Sequence, residues 1–326
     1  MAKACVIVVW FGKLPEYYRF WELSCGRNAG VADFLLVTDQ PHTPAVPNLR
    51  VQQCTMEQLR QQISEKLGIE ASFEKPFKSC DFRPAYGVIF EQELAGYEYW
   101  GHCDLDQVFG DLRILIDRPD LEQYDKIGRS GHLTLYRNCP EMNGLYRQAG
   151  ALYDWETVFT TPANYAFDER TGICRIAREQ GTRYLNTCDL RADIRVRTRR
   201  LEINAAKNYV NQLFYWEDGH LYRAYLDGNQ IRTEEFIYIH FQKKQLADRC
   251  EGVSNAFFIG REGFFPKTGD VTGADFDRYN RPDSGLRQRL DTVKYFWKKT
   301  MDYFRSNKAQ RKVWMSQKRI GKERYD

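Results

Sequence analysis

Residues 97–113 read YEYWGHCDLDQVFGDLR, and this stretch decides how the rest of the chain is interpreted. Tyr97–His102 is an aromatic, apolar run of strand length, and the acidic pair Asp104 and Asp106 follows at its carboxyl end. In open α/β sheets, ligands bind beyond the carboxyl ends of the strands. The stretch therefore predicts a buried strand that leads into a binding site.

Two further apolar runs precede this strand, ACVIVVW at Ala4–Trp10 and FLLVT at Phe34–Thr38. Helix-like stretches separate the runs, after Pro15, at Thr55–Leu67 and at Pro84–Glu93. Apolar strands that alternate with helices are typical of a parallel sheet covered on both faces. We expect an α/β fold with a mixed, mostly parallel sheet flanked by helices.

The second half of the chain is less regular. Gly131–Arg137 alternates apolar and polar residues like a half-buried strand, and Phe236–Phe241 is a further strand candidate. Asn211–Tyr225 contains two aromatic runs around a central Asp-Gly pair, which is a strong hairpin signal. Gly260–Arg281, rich in Gly, Asp and Phe, is expected to be an ordered loop or a mobile lid.

The composition is that of a globular protein with a sizeable core. Hydrophobic residues make up 43% and aromatic residues 14% of the 326 residues, and no apolar run approaches the roughly 18 residues that a membrane span needs. The nine cysteines are scattered without a CxxC pair, which argues against a zinc site or a disulfide framework. We expect a cytoplasmic protein with reduced thiols.

The two carboxylates of the opening stretch can reach one divalent cation, because a single residue separates them. Mg²⁺ and Mn²⁺ prefer oxygen ligands and share their sites with phosphate oxygens. A metal held there would neutralise the charge of a departing diphosphate. The triplet alone is weak evidence, since acidic residues at a strand end also form turns and cap helices.

Four segments together resemble the glycosyltransferases of the GT-A fold: FLLVTD at 34–39, KPFKSCDFRPAYG at 75–87, the opening stretch at 97–113 and YIHF at 238–241. The chain more closely resembles an uncharacterised bacterial polysaccharide-biosynthesis family in which CDF(K/R)PAYG precedes WGxxDxDxxxGD. The resemblance covers roughly residues 4–245 and is specific at 75–113. It implies a Rossmann-like sheet on which Asp104 and Asp106 hold Mn²⁺ or Mg²⁺ against the diphosphate of a UDP- or GDP-linked sugar.

The resemblance also implies a third metal ligand. GT-A enzymes frequently supply a late histidine, and His240 in YIHF is similar to it. Imidazole is compatible with Mn²⁺, although a half-buried structural histidine is the alternative. Lys243 could face the diphosphate, or it could simply end the strand in solvent.

Polar residues before the metal strand are candidate contacts to the nucleotide and the donor sugar, as the related families imply: Lys78, Asp81, Arg83 and Tyr86. An arginine suits this role because its planar guanidinium donates several hydrogen bonds to phosphate oxygens or sugar hydroxyls. The alternative is a helix start that Asp81 caps ahead of Pro84.

Other strand ends complete the predicted donor site. The base is expected against the residues that close the first strand: Phe11, Gly12 and Lys13. Asp39 ends the second strand, where GT-A folds place an acid that contacts the nucleoside. The donor sugar is expected against the residues that begin the strand after the metal loop: Ser130, Gly131 and His132. An ordinary strand role for His132 is equally compatible with its position.

The pair Asp168 and Glu169 is the candidate acid–base group. Inverting transfer needs a carboxylate that removes the proton of the acceptor hydroxyl. The pair follows the metal motif in the chain, at a separation compatible with a loop that faces the acceptor. A retaining enzyme needs no such dedicated base, and the sequence leaves the stereochemistry open. Both residues could instead begin a helix.

The end of the chain differs from the rest in charge. Residues 286–326 contain thirteen Lys or Arg and four Asp or Glu, a net charge of +9, whereas the preceding 285 residues carry 35 basic and 40 acidic side chains, a net charge of −5. Apolar residues recur there at steps of three and four and so share one helical face: Leu286, Leu290, Val293, Trp297, Met301 and Phe304. We divide the chain into a catalytic domain at 1–280 and a basic amphipathic helical tail at 281–326.

Two interpretations of the tail stay open. A basic amphipathic helix suits docking on an anionic membrane surface, which would place the protein peripherally on the inner face of the cytoplasmic membrane. The alternative is a helix packed on the domain at Leu286–Phe304, with Lys308–Arg324 exposed.

The sequence thus predicts a metal-dependent glycosyltransferase that transfers a sugar from a nucleotide-sugar donor to a glycan or lipid-linked glycan acceptor in surface polysaccharide biosynthesis. The alternatives are a catalytically inactive glycan- or nucleotide-binding protein and another metal-dependent nucleotide-processing enzyme. A nucleotidyltransferase would usually carry a Gly-rich phosphate-binding loop after its first strand. The residues at that position here, Trp10–Leu14, do not form such a motif. No nucleic-acid partner is expected, because the remainder of the chain is acidic.

Overall fold

The computed structural model describes residues 2–128, 131–252, 255–306 and 308–320. The strands of the first half are β1 (Ala4–Trp10), β2 (Ala32–Thr38), β3 (Leu49–Gln53), β4 (Tyr99–Cys103), β5 (Gln107–Phe109), β6 (Lys126–Ile127), β7 (Leu133–Arg137) and β8 (Tyr184–Leu185). Those of the second half are β9 (Arg191–Asp193), β10 (Gln212–Glu217), β11 (His220–Asp227), β12 (Gln230–Phe236), β13 (Tyr238–His240), β14 (Ala247–Asp248), β15 (Ala256–Gly260) and β16 (Gly263–Pro266).

The α-helices alternate with strands in the first half and close the chain. They are α1 (Tyr18–Gly26), α2 (Met56–Leu67), α3 (Ser79–Phe82), α4 (Tyr86–Ile89), α5 (Arg113–Ile116), α6 (Pro140–Asn143), α7 (Trp155–Thr160), α8 (Ile173–Glu179), α9 (Gly273–Asn280), α10 (Gly285–Arg305) and α11 (Lys308–Ile320). The protein is a mixed α/β structure, as the sequence predicts.

The main sheet has seven strands in the order β3-β2-β1-β4-β7-β6-β8. Strands β3, β2, β1 and β4 run parallel, β7 is antiparallel to both β4 and β6, and β8 is parallel to β6. The prediction of a mixed, mostly parallel sheet is confirmed. The carboxyl ends of β1 and β4 lie side by side because the two strands are paired directly.

Both faces of the main sheet are covered, which explains its continuous apolar strands. In β1, Cys5 and Ile7 belong to the core cluster that includes Leu59 of α2, whereas Val6 and Val8 belong to the cluster that includes Trp21 of α1. Successive side chains of a strand point to opposite faces. A strand between two helical layers therefore has no polar face.

The second half forms two sheets that the sequence indicates only in part. One has the order β12-β11-β10-β15-β16-β14 and is antiparallel except for the pairing of β14 with β16. The predicted hairpin is its β10–β11 pair, which turns at Asp218 and Gly219 with φ of 50° and 98°. The other sheet, β5-β13-β9, joins the metal-motif segment to the late strand.

Two local expectations are wrong. Residues 260–281 are neither a loop nor a lid, because they form β16 and α9, and α9 buries Phe276 and Tyr279 in a small apolar cluster. Two of the glycines that suggested a loop allow close backbone approach instead, since a Cβ on Gly260 would lie 2.6 Å and one on Gly263 2.1 Å from a backbone oxygen. The single helix expected at 84–93 is a 3₁₀ turn at Arg83–Ala85 followed by the one-turn helix α4.

The tail is helical, and its packing differs from the alternative in which Leu286–Phe304 packs on the domain and Lys308–Arg324 is exposed. Most apolar residues of α10 are exposed rather than packed on the domain, and Met301 is half-buried. In α11, which was expected to be exposed, Val313 is only 3% exposed and joins the core cluster of the main sheet. Gln310 exchanges two hydrogen bonds of 2.9 Å with the backbone of Asn164. Residues 321–326 lie outside the described part of the chain.

None of the helices in the described ranges is long and apolar enough to cross a bilayer.

Candidate functional site

A cavity of about 920 Å³ lies at the carboxyl ends of β1 and β4. It lies where ligands bind in open α/β sheets, and its size suits a small-molecule site. Nine of the predicted site residues line it: Phe11, Arg83, Asp104, Asp106, His132, Asp168, Glu169, His240 and Lys243.

The three predicted metal ligands meet in this cavity. Asp104 follows β4, and His240 is brought beside it because β13 pairs with β5, where Gln107 is the partner of His240. His240 Nε2 lies 3.4 Å from Asp104 Oδ2 and 3.2 Å from Asp106 Oδ1. The three ligand atoms lie within 4.8 Å of one another. Two carboxylate oxygens and one imidazole nitrogen form a donor set that suits Mn²⁺ or Mg²⁺.

Asp193 orients the histidine of this group. His240 Nδ1 lies 3.0 Å from Asp193 Oδ1, which also accepts a hydrogen bond of 2.7 Å from Gln242 Nε2. Burial of His240 opposes its protonation, but hydrogen bonds to Asp106 and Asp193 outweigh this and raise its pKa to about 10. A carboxylate on the second nitrogen fixes the ring and its tautomer, as metal-binding histidines generally require.

Asp193 is not among the site residues predicted from the sequence. Its position depends on the parallel pairing of β9 with β13, which makes Asp193 the register partner of His240. The two residues are 47 positions apart, and β9 is a three-residue strand without a pattern of its own. No local signal could have identified it.

His132, predicted to contact the donor sugar, lies against the metal-ligand group in the same cavity. Its ring centroid is 3.9 Å from that of His240, and its Nδ1 is 3.8 Å from Asp193 Oδ1. Burial lowers the pKa of His132 to about 3, and the neighbouring His240 acts in the same direction. The imidazole is therefore neutral, and His132, Asp193 and His240 form a second group of potential ligands.

Arg83 bridges the metal-ligand group and the candidate base. Its Nη2 donates to Asp104 Oδ1 at 2.5 Å and its Nη1 to Asp168 Oδ2 at 2.9 Å. The Asp168 side chain is buried, which raises its pKa to about 8 although Arg83 opposes this shift. Glu169, next in the chain, is exposed but also lines the cavity. Burial thus makes the protonated form of Asp168 more favourable than that of an exposed aspartate.

Gly131 lies behind this bridge. Its carbonyl accepts a hydrogen bond of 3.3 Å from Arg83 Nη1, and a Cβ at this position would lie 2.8 Å from Asp168 Oδ2. Gly131 thus allows the carboxylate to approach the backbone. Ser130 lies outside the described residues.

Three of the predicted donor contacts are buried supports that do not line the cavity. Lys78 Nζ donates to Asp81 Oδ2 at 2.8 Å and to two backbone carbonyls at 2.6 Å. Asp81 also accepts the backbone N–H groups of Tyr165 and Phe167, and the Tyr86 hydroxyl donates to a backbone carbonyl. The Lys78–Asp81 pair therefore holds the loop that carries Asp168.

The other predicted strand-end residues lie around Phe11. The backbone N–H of Gly12 donates to Asp39 Oδ1 at 2.8 Å, and the Lys13 carbonyl accepts a hydrogen bond from Trp10 Nε1. Hydrogen bonds from Gln40 and Gly12 lower the pKa of Asp39. Phe11 lines the cavity, whereas Gly12, Lys13 and Asp39 do not.

The segment after β13 has an uncommon backbone. Gln242 and Lys243 have φ of 54° and 65°, and Ala166 across the cavity has 50°. Such left-handed conformations cost of order 1–2 kcal/mol for residues other than glycine and are concentrated at functional sites. The conformations of Gln242 and Lys243 direct the Lys243 N–H at Asp106 Oδ2, to which it donates a hydrogen bond of 2.6 Å. The Lys243 ammonium lies 4.6 Å above the Phe77 ring at the cavity wall.

No curated protein matches the chain. A family model matches residues 6–268, a range that contains every cavity-lining residue and ends just after β16. Helices α9, α10 and α11 lie beyond the matched range. Since the match covers most of the chain, the protein belongs to the family described as a family of unknown function, DUF6625.

Proposed function

We propose that the protein is a metal-dependent glycosyltransferase that uses a nucleotide-sugar donor. The observation that carries the proposal is the convergence of Asp104, Asp106 and His240 in the cavity beside the parallel strands. This combination of a hard-cation donor set and a cavity of about 920 Å³ suits a ligand that carries a diphosphate. The GT-A resemblance of residues 75–113 supports the same assignment.

The chemistry of the donor set assigns the metal-binding roles. Asp104, Asp106 and His240 would hold Mn²⁺ or Mg²⁺, which when bound supplies a Lewis acid for the departing nucleoside diphosphate. Asp193 keeps the His240 ring directed at the two carboxylates. Lys243, at the cavity wall, adds a positive charge for the phosphates of a UDP- or GDP-linked donor.

Asp168 fits the acid–base role. A base acts best when its pKa lies near the working pH, and burial raises the pKa of Asp168 to about 8. Its contact with Arg83 fixes the carboxylate at the cavity wall. In inverting transfer, Asp168 would accept the proton of the glycan or lipid-linked acceptor hydroxyl as that oxygen attacks the sugar.

Calorimetry with UDP and GDP in the presence of Mn²⁺ tests the proposal. Wild type should bind at least one of these nucleotides, and chelation of the metal should abolish binding. Asp106→Ala should weaken it by about tenfold or more, because it removes one metal ligand. Asp117→Ala is the matched control, since that carboxylate is exposed and pairs with Lys3 outside the cavity.

Failure of wild type to bind either nucleotide with Mn²⁺ or Mg²⁺ would refute the proposal. A panel of nucleotide sugars, monitored by released nucleotide, then tests turnover. Binding without release from any donor would instead assign an inactive nucleotide-binding protein. Release of a nucleoside monophosphate together with the sugar 1-phosphate would assign another nucleotide-processing enzyme.

A further inference from the structure

The apolar side chains of α10 form a stripe that faces solvent. Leu286 is 73% exposed, Val293 64% and Phe304 66%, and Leu290 and Trp297 are each more than half exposed. We call these five side chains the α10 stripe. Their spacing of three, four and seven residues places them on one side of the helix. Contiguous apolar surface of this kind marks an interaction site.

Contacts with the body of the protein fix the orientation of α10. The Arg197 guanidinium lies 5.2 Å from the centre of the Tyr295 ring and 4.6 Å from that of Phe296. Asp291, Lys294, Tyr295 and Lys298, which recur at steps of three and four, line a cavity of about 670 Å³ together with the body. The helix therefore turns this side inward and leaves the α10 stripe outward.

The surroundings of the stripe are positively charged. Helix α10 contains six Lys or Arg against two Asp, and α11 contains five Lys or Arg and no acidic residue. Seven Lys or Arg and only two acidic side chains line the cavity behind α10. A second copy of the chain would present the same positive charge and be repelled. An anionic surface with an apolar interior matches both features.

We propose that α10 docks the protein on an anionic lipid bilayer. The α10 stripe would enter the boundary between headgroups and acyl chains, and the flanking Lys and Arg would meet the lipid phosphates. Basic residues near such a surface are attracted to its anionic lipids, so the eleven Lys and Arg of α10 and α11 favour reversible binding. The inference goes beyond the proposed function and does not depend on it.

The second tail helix connects this membrane face to the candidate site. The rings of Tyr303 in α10 and Trp314 in α11 stack with centroids 6.1 Å apart. Nearer the start of α11, the Gln310 side chain donates a hydrogen bond to the backbone carbonyl of Asn164, a residue that lines the candidate site. Helix α11 therefore links the membrane-docking helix α10 to a residue that lines the candidate site.

Sedimentation of the full-length protein with vesicles tests the inference. Wild type should bind vesicles of phosphatidylcholine with phosphatidylglycerol, and it should bind pure phosphatidylcholine vesicles weakly. The double variant Leu290→Gln, Trp297→Gln should lose about tenfold or more of the affinity, because it removes exposed apolar area. The matched control is Val210→Gln, which changes a side chain that is 73% exposed on the body.

The expected result includes an unchanged circular dichroism spectrum and an unchanged unfolding midpoint for the double variant, so that its defect is confined to membrane binding. Equal vesicle binding by wild type and the double variant would overturn the inference, as would no binding of wild type to either vesicle. A wild-type dimer in light scattering that the double variant dissociates would reassign the stripe to self-association and overturn it as well.

Discussion

Asp193 determines the direction in which the His240 ring presents its Nε2. It lies on the side of the ring opposite the two metal-motif carboxylates, and its Oδ1 is shared with Gln242. A residue in this position acts through the histidine. It is a positioning residue for the proposed metal site.

Asp193→Ala should weaken Mn²⁺ binding by about 10–100-fold, the usual effect of losing a carboxylate behind a histidine ligand. Asp193→Asn should recover part of this loss, because an amide oxygen still accepts from Nδ1. Calorimetric titration of Mn²⁺ measures both. Asp189→Asn, an exposed acid on the turn before β9, is the control. Unchanged Mn²⁺ affinity in Asp193→Ala would contradict the positioning role.

At the residue scale, the sequence best predicts which side chains meet in the cavity where a short motif contains several of them. Asp104 and Asp106 lie together in the chain, and His240 ends a recognisable apolar strand. Lys78 and Asp81 belong to an equally distinctive segment, yet they bond each other in the interior. The sequence cannot separate the two cases, because a buried ion pair and a ligand-binding pair use the same residue types.

The strand that leads into the metal motif depends on one glycine. Gly101 lies in the middle of β4 beside Leu135 of β7. A Cβ on Gly101 would lie 2.3 Å from the Thr134 carbonyl oxygen and 2.5 Å from Leu135 Cδ2. Neither group can move without shifting β7, since the first belongs to the backbone and the second is buried.

Gly101→Ala should therefore lower the free energy of unfolding by about 1–3 kcal/mol, the usual cost of overpacking a core. Urea denaturation followed by circular dichroism measures this change. Gly269→Ala is the matched control, because nothing lies within 4 Å of the added Cβ there. Equal midpoints for both variants would show that β4 and β7 tolerate the methyl group.

At the scale of elements, the sequence predicts the strands that are buried on both faces. β1, β2 and β4 stand out as apolar runs because helical layers cover the main sheet on both sides. β12 has the sequence QIRTEEF and is largely exposed, so it has no hydrophobic pattern that would predict a strand. β14, with two residues, and β16, with four, are too short to show an alternation of apolar and polar side chains. Long-range pairing, which the local sequence does not encode, defines these strands.

At the scale of the whole molecule, α11 is attached to the body through a small contact. Val313 is buried against the main core cluster, while Met315 on the same helix is 49% exposed. An isolated helix of 13 residues is marginally stable in water. The helicity of α11 therefore depends on the contact at Val313.

Val313→Asp should release α11, because a carboxylate in this apolar position is costly to bury. We expect amide hydrogen exchange in residues 308–316 to accelerate by about tenfold or more while the main sheet keeps its protection. Met315→Asp should leave exchange near the wild-type rate. Slow exchange in Val313→Asp would mean that the bonds between Gln310 and Asn164 suffice to hold the helix.

Arg83 gives the protein an internal counter-ion. With its guanidinium on both Asp104 and Asp168, the chain neutralises its own acidic cluster. An incoming cation has to displace a side chain from Asp104, which weakens its binding, and Arg83 returns one positive charge to Asp104 when the cation leaves. If the proposed metal site is correct, Arg83 would compete with the metal for Asp104, so the metal could exchange together with the nucleotide.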